Sequence, residues 1–290
     1  MKVLISTDTS CLVNYEALKK HEISVFPLNV IVDGEEYLDG ITINQDQLKD
    51  AMRAKKKIKT STPPLGEVVE YFESLFKRGY DHIIHFTISS KLSSMNQLFN
   101  NVANENFPGK ITVIDSYGLT TTMLSQVFYA YEEANKGLAI EEIVKGVEER
   151  KSSDYIAFVP ENLDALKNGG RISPTIATIG NVLGIKPLIN LSDGELKKDT
   201  MIRNVKKTIA DKIDKALETM PVKDYDYSIV SFDANQAALQ YIYDYADNKL
   251  GKDKIIKGII PINVCAHCGP GTIGLIISKK INGKSLKEFI

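Results

Sequence analysis

Short apolar runs alternate with polar loops and helix-length segments through the first half of this 290-residue chain, and that rhythm constrains its fold most. Residues 2–6, 82–86 and 111–114 are apolar runs that stop at polar residues, as buried strands do. Asn14 is placed to cap a short helix running to His21, and helices are expected over 94–104 and 119–135. Strand, loop and helix in repetition predict an α/β unit: a parallel sheet with helices on both faces. Loops at the carboxyl ends of such strands build the site. Three of them here, 7–10, 87–94 and 115–122, are rich in Ser and Thr. Residues 24–32 read as one further strand, Asp33-Gly34 as a turn and 44–54 as a helix. The lysine run and Pro63-Pro64 make 55–64 an exposed loop leading into a helix over 66–78.

The style changes after a helix over 140–151. Residues 185–191 and 195–202 read as strands joined by the two-residue turn Asp193-Gly194. Strands over 155–159, 227–232, 255–262 and 273–278 alternate with helices over 204–218 and 236–250. This pattern predicts a mixed sheet with helices on one face. The boundary is set near Tyr155, giving domains 1–155 and 156–290, and the length suits two domains better than one large core.

Composition removes several function classes. The 36 basic and 37 acidic residues leave no basic footprint for nucleic acid. No apolar run reaches the roughly 20 residues that span a bilayer. The amino terminus turns polar too early for a signal-peptide core, and three cysteines make no disulfide framework, so a reducing, cytoplasmic setting is expected. Gly269-Pro270-Gly271-Thr272-Ile273-Gly274 matches G-x-G-x-x-G, but a strand rather than a helix follows it, so no dinucleotide site is expected. Gly283-Lys284-Ser285 lacks the upstream glycine of a P-loop. Cys265-Ala266-His267-Cys268 has the spacing of a zinc half-site or a redox pair, yet no second ligand cluster appears; the plainer reading is two small residues in a tight glycine-rich turn. Ser93 or Ser94 with His267 could form a nucleophile and base, although no G-x-S-x-G elbow occurs and Ser94 serves equally as a helix cap. Arg203, Lys206 and Lys207 crowd a helix start, where the helix dipole disfavours cations, and so suggest an anionic ligand or partner. An acyl-ester hydrolase and a CxxC metal or redox protein therefore stay open as readings of the residues alone.

Eight segments in order resemble the DegV family of bacterial fatty-acid-binding proteins. They are Thr7-Asp8-Thr9-Ser10, Thr60-Ser61-Thr62-Pro63-Pro64, Ser89-Ser90-Lys91-Leu92-Ser93-Ser94 and Val113-Ile114-Asp115-Ser116, then Leu166-Lys167-Asn168-Gly169-Gly170-Arg171-Ile172, Lys186-Pro187-Leu188, Arg203-Asn204-Val205-Lys206-Lys207 and the run from Ala266 to Gly274. The chain departs from the family pattern at Thr62, Ser94, Met95, Asn168, Asn204 and the Thr120-Thr121-Thr122 run.

The resemblance implies two α/β domains enclosing a long-chain fatty acid, with no metal, no other cofactor and no catalytic residue. It implies that Thr60, Ser61, Thr62, Ser93, Ser94 and His267 hold the carboxyl, since hydroxyls serve both a carboxylate and a carboxylic acid. It also implies a separate fatty acid kinase as partner, met by Arg171 and Arg203, whose acyl-phosphate feeds phospholipid synthesis, and it allows transient contact with a membrane surface. An acyl chain of about sixteen carbons gains roughly 12 kcal/mol on leaving water, so a carrier must enclose it. The near-zero charge is unevenly divided. The first 155 residues hold 17 basic and 22 acidic side chains, a net of −5, and the rest hold 19 and 15, a net of +4. A basic half suits docking to a partner that handles phosphate, weakened by added salt.

Overall fold

The computed structural model describes residues 1–11, 15–172 and 184–290, so the expected cap at Asn14 lies outside the described residues. The first half supplies seven strands: β1 (Val3–Asp8), β2 (Ser24–Phe26), β3 (Asn29–Val32), β4 (Glu35–Leu38), β5 (Ile58–Ser61), β6 (His82–Thr87) and β7 (Ile111–Asp115). Four of them form a sheet in the order β2-β1-β6-β7, all parallel. Buried on both faces, β6 sends alternate side chains to opposite sides, as the pleat requires. Ile83 packs with Val68 and Phe72 of the helix Leu65–Phe76 and with Phe99 of the helix Met95–Asn106. Ile84 and Phe86 pack with Val127 and Phe128 of the helix Thr120–Asn135 and with Ile143 of the helix Ile140–Lys151. The expected two-faced parallel sheet is therefore present.

Two readings of this half need correction. The single strand expected over 24–32 breaks at Pro27, which has no N–H to give to a ladder. Past that break β3 leaves the parallel sheet and joins a three-stranded antiparallel sheet, β4-β3-β5. The second concerns 55–64, expected to be a loop throughout. Its residues Ile58–Ser61 are strand β5, with Thr60 opposite Val30, and only the prolines that follow break the pairing.

The second half supplies β8 (Tyr155–Val159), β9 (Lys186–Ser192), β10 (Glu195–Ile202), β11 (Tyr225–Phe232), β12 (Ile256–Ile259) and β13 (Thr272–Lys279). They form one mixed sheet in the order β10-β9-β8-β13-β11-β12, in which only the β11–β12 pair is parallel. Along β13, Ile273, Leu275 and Ile277 pack in the same cluster as Ile209 and Ile213 of the helix Val205–Leu217 and Leu239 and Ile242 of the helix Gln236–Leu250. The opposite face, carrying Ile156, Val230 and Ile276, packs toward the first half. The strand expected over 255–262 stops at Ile259, and the tight turn expected around the cysteines is instead a helix, Ile262–Cys268. Pro261 precedes that helix and Gly269, at φ 74°, ends it, the usual placement of proline before a helix and glycine after it.

The tip of the β9–β10 hairpin reaches back onto the first half. Ser89 Oγ donates to the Gly194 carbonyl at 2.7 Å. Gly194 has φ 76°, and a Cβ there would stand 2.5 Å from the same Ser89 oxygen, so both conformation and space demand glycine. Gly194→Val is expected to lower stability by about 1–3 kcal/mol and to speed amide exchange in β9 and β10. Exchange unchanged from wild type would show that the hairpin is held elsewhere.

Candidate functional site

A cavity of about 1100 Å3, its open mouth included, lies between the inward face of the six-stranded sheet and, from the first half, strand β5 and the loops that follow β6 and β7. Its floor is the inward face of the second sheet, where Ile156, Phe158, Val230 and Ile276 stand on neighbouring strands. Leu28, Ile88, Leu92 and Met95 close it from the first half. The wall is therefore hydrocarbon over most of its area, as small-molecule sites generally are, with a few polar groups to fix orientation.

Most of those polar groups are residues singled out in the sequence. Thr60, Ser61, Thr62, Ser93, Ser94, His267 and Arg171 all line the cavity, although they come from segments up to about 200 residues apart. Strand β5 carries Thr60 and Ser61. Thr60 Oγ1 and His267 Nε2 share a hydrogen bond of 2.8 Å, and His267 stands in the last turn of its helix. Ser61 Oγ is buried and has no hydrogen-bond partner among the described residues. Ser94 begins the helix Met95–Asn106, but its side chain makes no cap bond; the Met95 N–H donates instead to Ser93 Oγ at 3.3 Å. That bond uses an acceptor site of Ser93 and leaves its O–H proton free to donate. Ser94 and Thr62 are exposed, at the outer edge.

Burial holds the His267 imidazole down to a pKa of about 4, and the nearby Arg171 guanidinium adds to the effect, so the ring is neutral at pH 7. Its Nδ1 has no partner among the described residues. Arg171 is tied down: its Nε donates to the Leu92 carbonyl at 3.1 Å and another guanidinium N–H to the Gly169 carbonyl at 2.5 Å. Arg203 is exposed, outside the cavity lining, just before the helix that Asn204 caps through the Lys207 N–H. The structure thus separates the two arginines paired by the sequence reading.

Buried carboxyls anchor the loops around this site. Asp8 accepts from the Ser10 N–H at 2.7 Å and the Ile88 N–H at 2.8 Å, joining two Ser/Thr-rich loops. Asp39 accepts from the Asn263 N–H at 3.0 Å, which fixes the start of the helix that carries His267. Burial pushes both carboxyls up to about 6.

The chemistry open to this arrangement is narrow. A hydrolase needs a serine hydrogen-bonded to its histidine and an acceptor orienting the far ring nitrogen. Here Nε2 bonds Thr60, a threonine, and Nδ1 lacks an acceptor among the described residues. Cys265 and Cys268 are buried one helical turn apart. Burial pushes the Cys265 thiol well up, and its Sγ donates to the Ile260 carbonyl at 3.2 Å, so this sulfur is a poor metal ligand or nucleophile. Among the described residues no group of three or more His, Cys, Asp or Glu side chains is placed to hold a metal ion. No described helix is long and apolar enough to cross a membrane.

Sequence reasoning missed two contributors and the backbone strain at a third. Asn263 lines the cavity and donates to Ser10 Oγ at 2.6 Å; its signal lay in a helix read as a turn. Gly169 makes room for the His267 ring, which only the fold reveals. Thr120 lines the cavity at φ 53°, a conformation that a β-branched residue rarely adopts. Its N–H donates to the Ser10 carbonyl at 2.7 Å, which holds it there; the sequence marks the Thr120-Thr121-Thr122 run as a departure from the family pattern but not this backbone conformation.

Known proteins place the chain. A family model described as "Uncharacterised protein, DegV family" matches residues 2–280. A DegV domain-containing protein of Staphylococcus aureus is 30% identical, over 96% of this chain and 99% of its own length. Among solved structures, a fatty-acid-binding DegV family protein from Streptococcus agalactiae superposes with a TM-score of 0.86 at 25% identity, covering 97% of this chain and 99% of that one. A stearic-acid-binding protein from Eubacterium ventriosum gives 0.84 at 27% identity, covering 96% and 98%. With the fold and nearly the full length in common, this chain belongs to the DegV family.

Proposed function

We propose that the cavity holds one long-chain fatty acid and that the protein presents its carboxyl to a separate fatty acid kinase, as a carrier rather than an enzyme. The observation that carries this reading is the make-up of the wall: hydroxyls and one neutral imidazole gathered from distant segments, with Asn263 and the tied-down Arg171, opening on a chamber that is apolar over most of its area. Relatives described as binding fatty acid or stearic acid support it. The tail occupies the apolar chamber. Ser61 and Ser93 donate to the carboxylate, and Thr60, which His267 orients, donates beside them. Hydroxyls leave the carboxylate more nucleophilic toward phosphorus than a guanidinium clamp would.

Arg171, at the cavity wall, and Arg203, outside it, face the kinase and its phosphate; acyl-phosphate then supplies phospholipid synthesis. Residues 1–155 and 156–290 act as two domains, in the cytoplasm, with brief contact to a membrane surface during exchange of the lipid.

Two measurements test the reading. Denaturing mass spectrometry of the purified protein is expected to show co-purified fatty acid, and added fatty acid should raise its melting temperature; failure of both sinks the proposal. Ser61→Ala with Ser93→Ala removes two hydrogen bonds to a charged group, so binding should weaken by about 100-fold or more. Arg203→Ala should leave binding intact and impair phosphorylation by the kinase. Equal loss of binding and phosphorylation in every variant would refute this division of roles.

A further inference from the structure

We infer that Gly274 determines which acyl chains the cavity admits, an inference that rests on the fatty-acid reading above. Strand β13 is a central strand, paired on one side with β11 and on the other with β8. Glycine weakens a strand interior, and its presence there often marks a place where a ligand or another chain comes close. Conformation does not require it: Gly274 is absent from the residues with positive φ. Its neighbours show what it does. Val230 is its partner on β11 and Phe158 its partner on β8. Thr272 and Ile276 are the next residues on the same face of its own strand. All four line the cavity, as Gly274 does. Gly274 is therefore a gap of one side chain at the centre of a cross of larger ones.

The gap is also chemically plain. Thr272 donates its hydroxyl to the carbonyls of Cys268 and Gly269 at 2.9 and 2.8 Å, so the floor here makes no polar demand on what lies over it. The occupant that matches is hydrocarbon. A Cβ at 274 would stand 3.1 Å from Val230 Cγ2 and 3.5 Å from Phe158 Cβ. A methyl group is thus admitted once Val230 yields by a few tenths of an ångström, and anything longer projects into the chamber. The last glycine of the G-P-G-x-x-G run, which serves no dinucleotide, sets the depth of the floor under the acyl tail.

The test is equilibrium binding to the full-length protein, by competition with a fluorescent fatty acid, of saturated acids from decanoic to octadecanoic. Gly274→Val should weaken octadecanoic acid by about tenfold or more relative to decanoic acid, with Gly274→Ala between it and wild type. Gly274→Val with Val230→Ala restores room beside position 274 and should recover part of the long-chain binding; it also serves should the single valine variant fold poorly. An unchanged chain-length preference in the folded variants overturns the inference, as does equal loss at every length. Wild-type protein that binds none of the acids would overturn the parent reading instead.

Discussion

Gly169→Ala is expected to cost most of the fatty-acid affinity while leaving the rest of the fold in place. Gly169 ends the short helix Asp164–Asn168 with φ −78°, a conformation that alanine adopts freely, so the backbone itself does not object. The objection comes from His267. A Cβ on residue 169 would lie 2.1 Å from Nδ1 and 2.9 Å from the adjacent ring carbon. The Ala165 carbonyl, 3.1 Å from that Cβ, limits any retreat of the backbone, so the imidazole must move. Moving it breaks the 2.8 Å bond to Thr60 and disorders the head of the site. Overpacking of this kind costs about 1–3 kcal/mol of stability. Loss of a properly aimed donor to a carboxylate weakens binding by about tenfold to 100-fold. Gly170→Ala is the control. That residue has φ 66° and open space where a Cβ would go, so alanine costs about 1–2 kcal/mol of backbone strain and should spare binding. Equal affinity in the two variants would show that the packing of Gly169 against His267 does not matter to the ligand.

Two buried histidines are expected to pull stability down in acid while three buried carboxyls push it up. His85 is fully buried, stacked on Phe99 at 4.2 Å and 2°, with Nδ1 sharing a 2.9 Å hydrogen bond with Ser6 Oγ. Burial holds its pKa down to about 3, and that of His267 to about 4, against an ordinary 6.5. A depressed folded value contributes stability that is complete above the unfolded value. That contribution is lost as pH falls through 6.5 toward the folded value. Asp8 and Asp39, raised by burial to about 6, and Asp154, raised to about 7, act in the opposite sense. Their contribution is present below about 3.8 and is lost as pH rises through the folded value. The two sets offset each other between about pH 7 and pH 5. Near pH 4 the carboxyl gain and the His267 loss are both nearly complete and only His85 goes on losing, so stability should hold or rise slightly toward pH 4 and then decline from this source by about 1.4 kcal/mol per pH unit to about pH 3. His85→Leu removes one of the two histidines; Ser6 keeps a partner in the Tyr71 hydroxyl at 2.6 Å. Between pH 7 and pH 4 the stability of the variant should rise by about 3 kcal/mol relative to wild type in urea titrations. Parallel pH curves for the two proteins would remove His85 from this role.

Much of the site was legible in the sequence because its hydroxyls sit in short, distinctive segments at strand ends. Thr60, Ser61, Thr62, Ser93, Ser94, Arg171 and His267 do meet in one cavity. The parallel sheet was legible because short apolar stretches such as Val3–Ile5 and Ile83–Ile84 recur between polar loops and helix-length segments. What stayed hidden depends on long-range pairing. Ile58–Ser61 is four residues long and follows three lysines, so nothing local marks it as a strand; its partner β3 does. Pro27 divides a run whose hydrophobicity is unbroken enough to read as one strand. The helix Ile262–Cys268 is short, and its glycine-rich sequel drew the reading toward a turn, although Pro261 and Gly269 bracket it. The strained Thr120 and the fit of Gly169 to His267 are properties of the assembled fold and leave no trace in composition or periodicity.

The hydrogen bonds that close the cavity join residues far apart along the chain. Ser89 and Gly194 are 105 positions apart, Thr60 and His267 207, Asp39 and Asn263 224, and Ser10 and Asn263 253. Contacts of such span repay their loop-closure entropy only after the intervening chain has ordered, so they form late in folding. A lipid that binds only the closed chamber would act on the rate of escape from the finished state rather than on the rate of reaching it. On the fatty-acid reading proposed above, the lifetime of the protein in the cell is then coupled to the supply of its ligand.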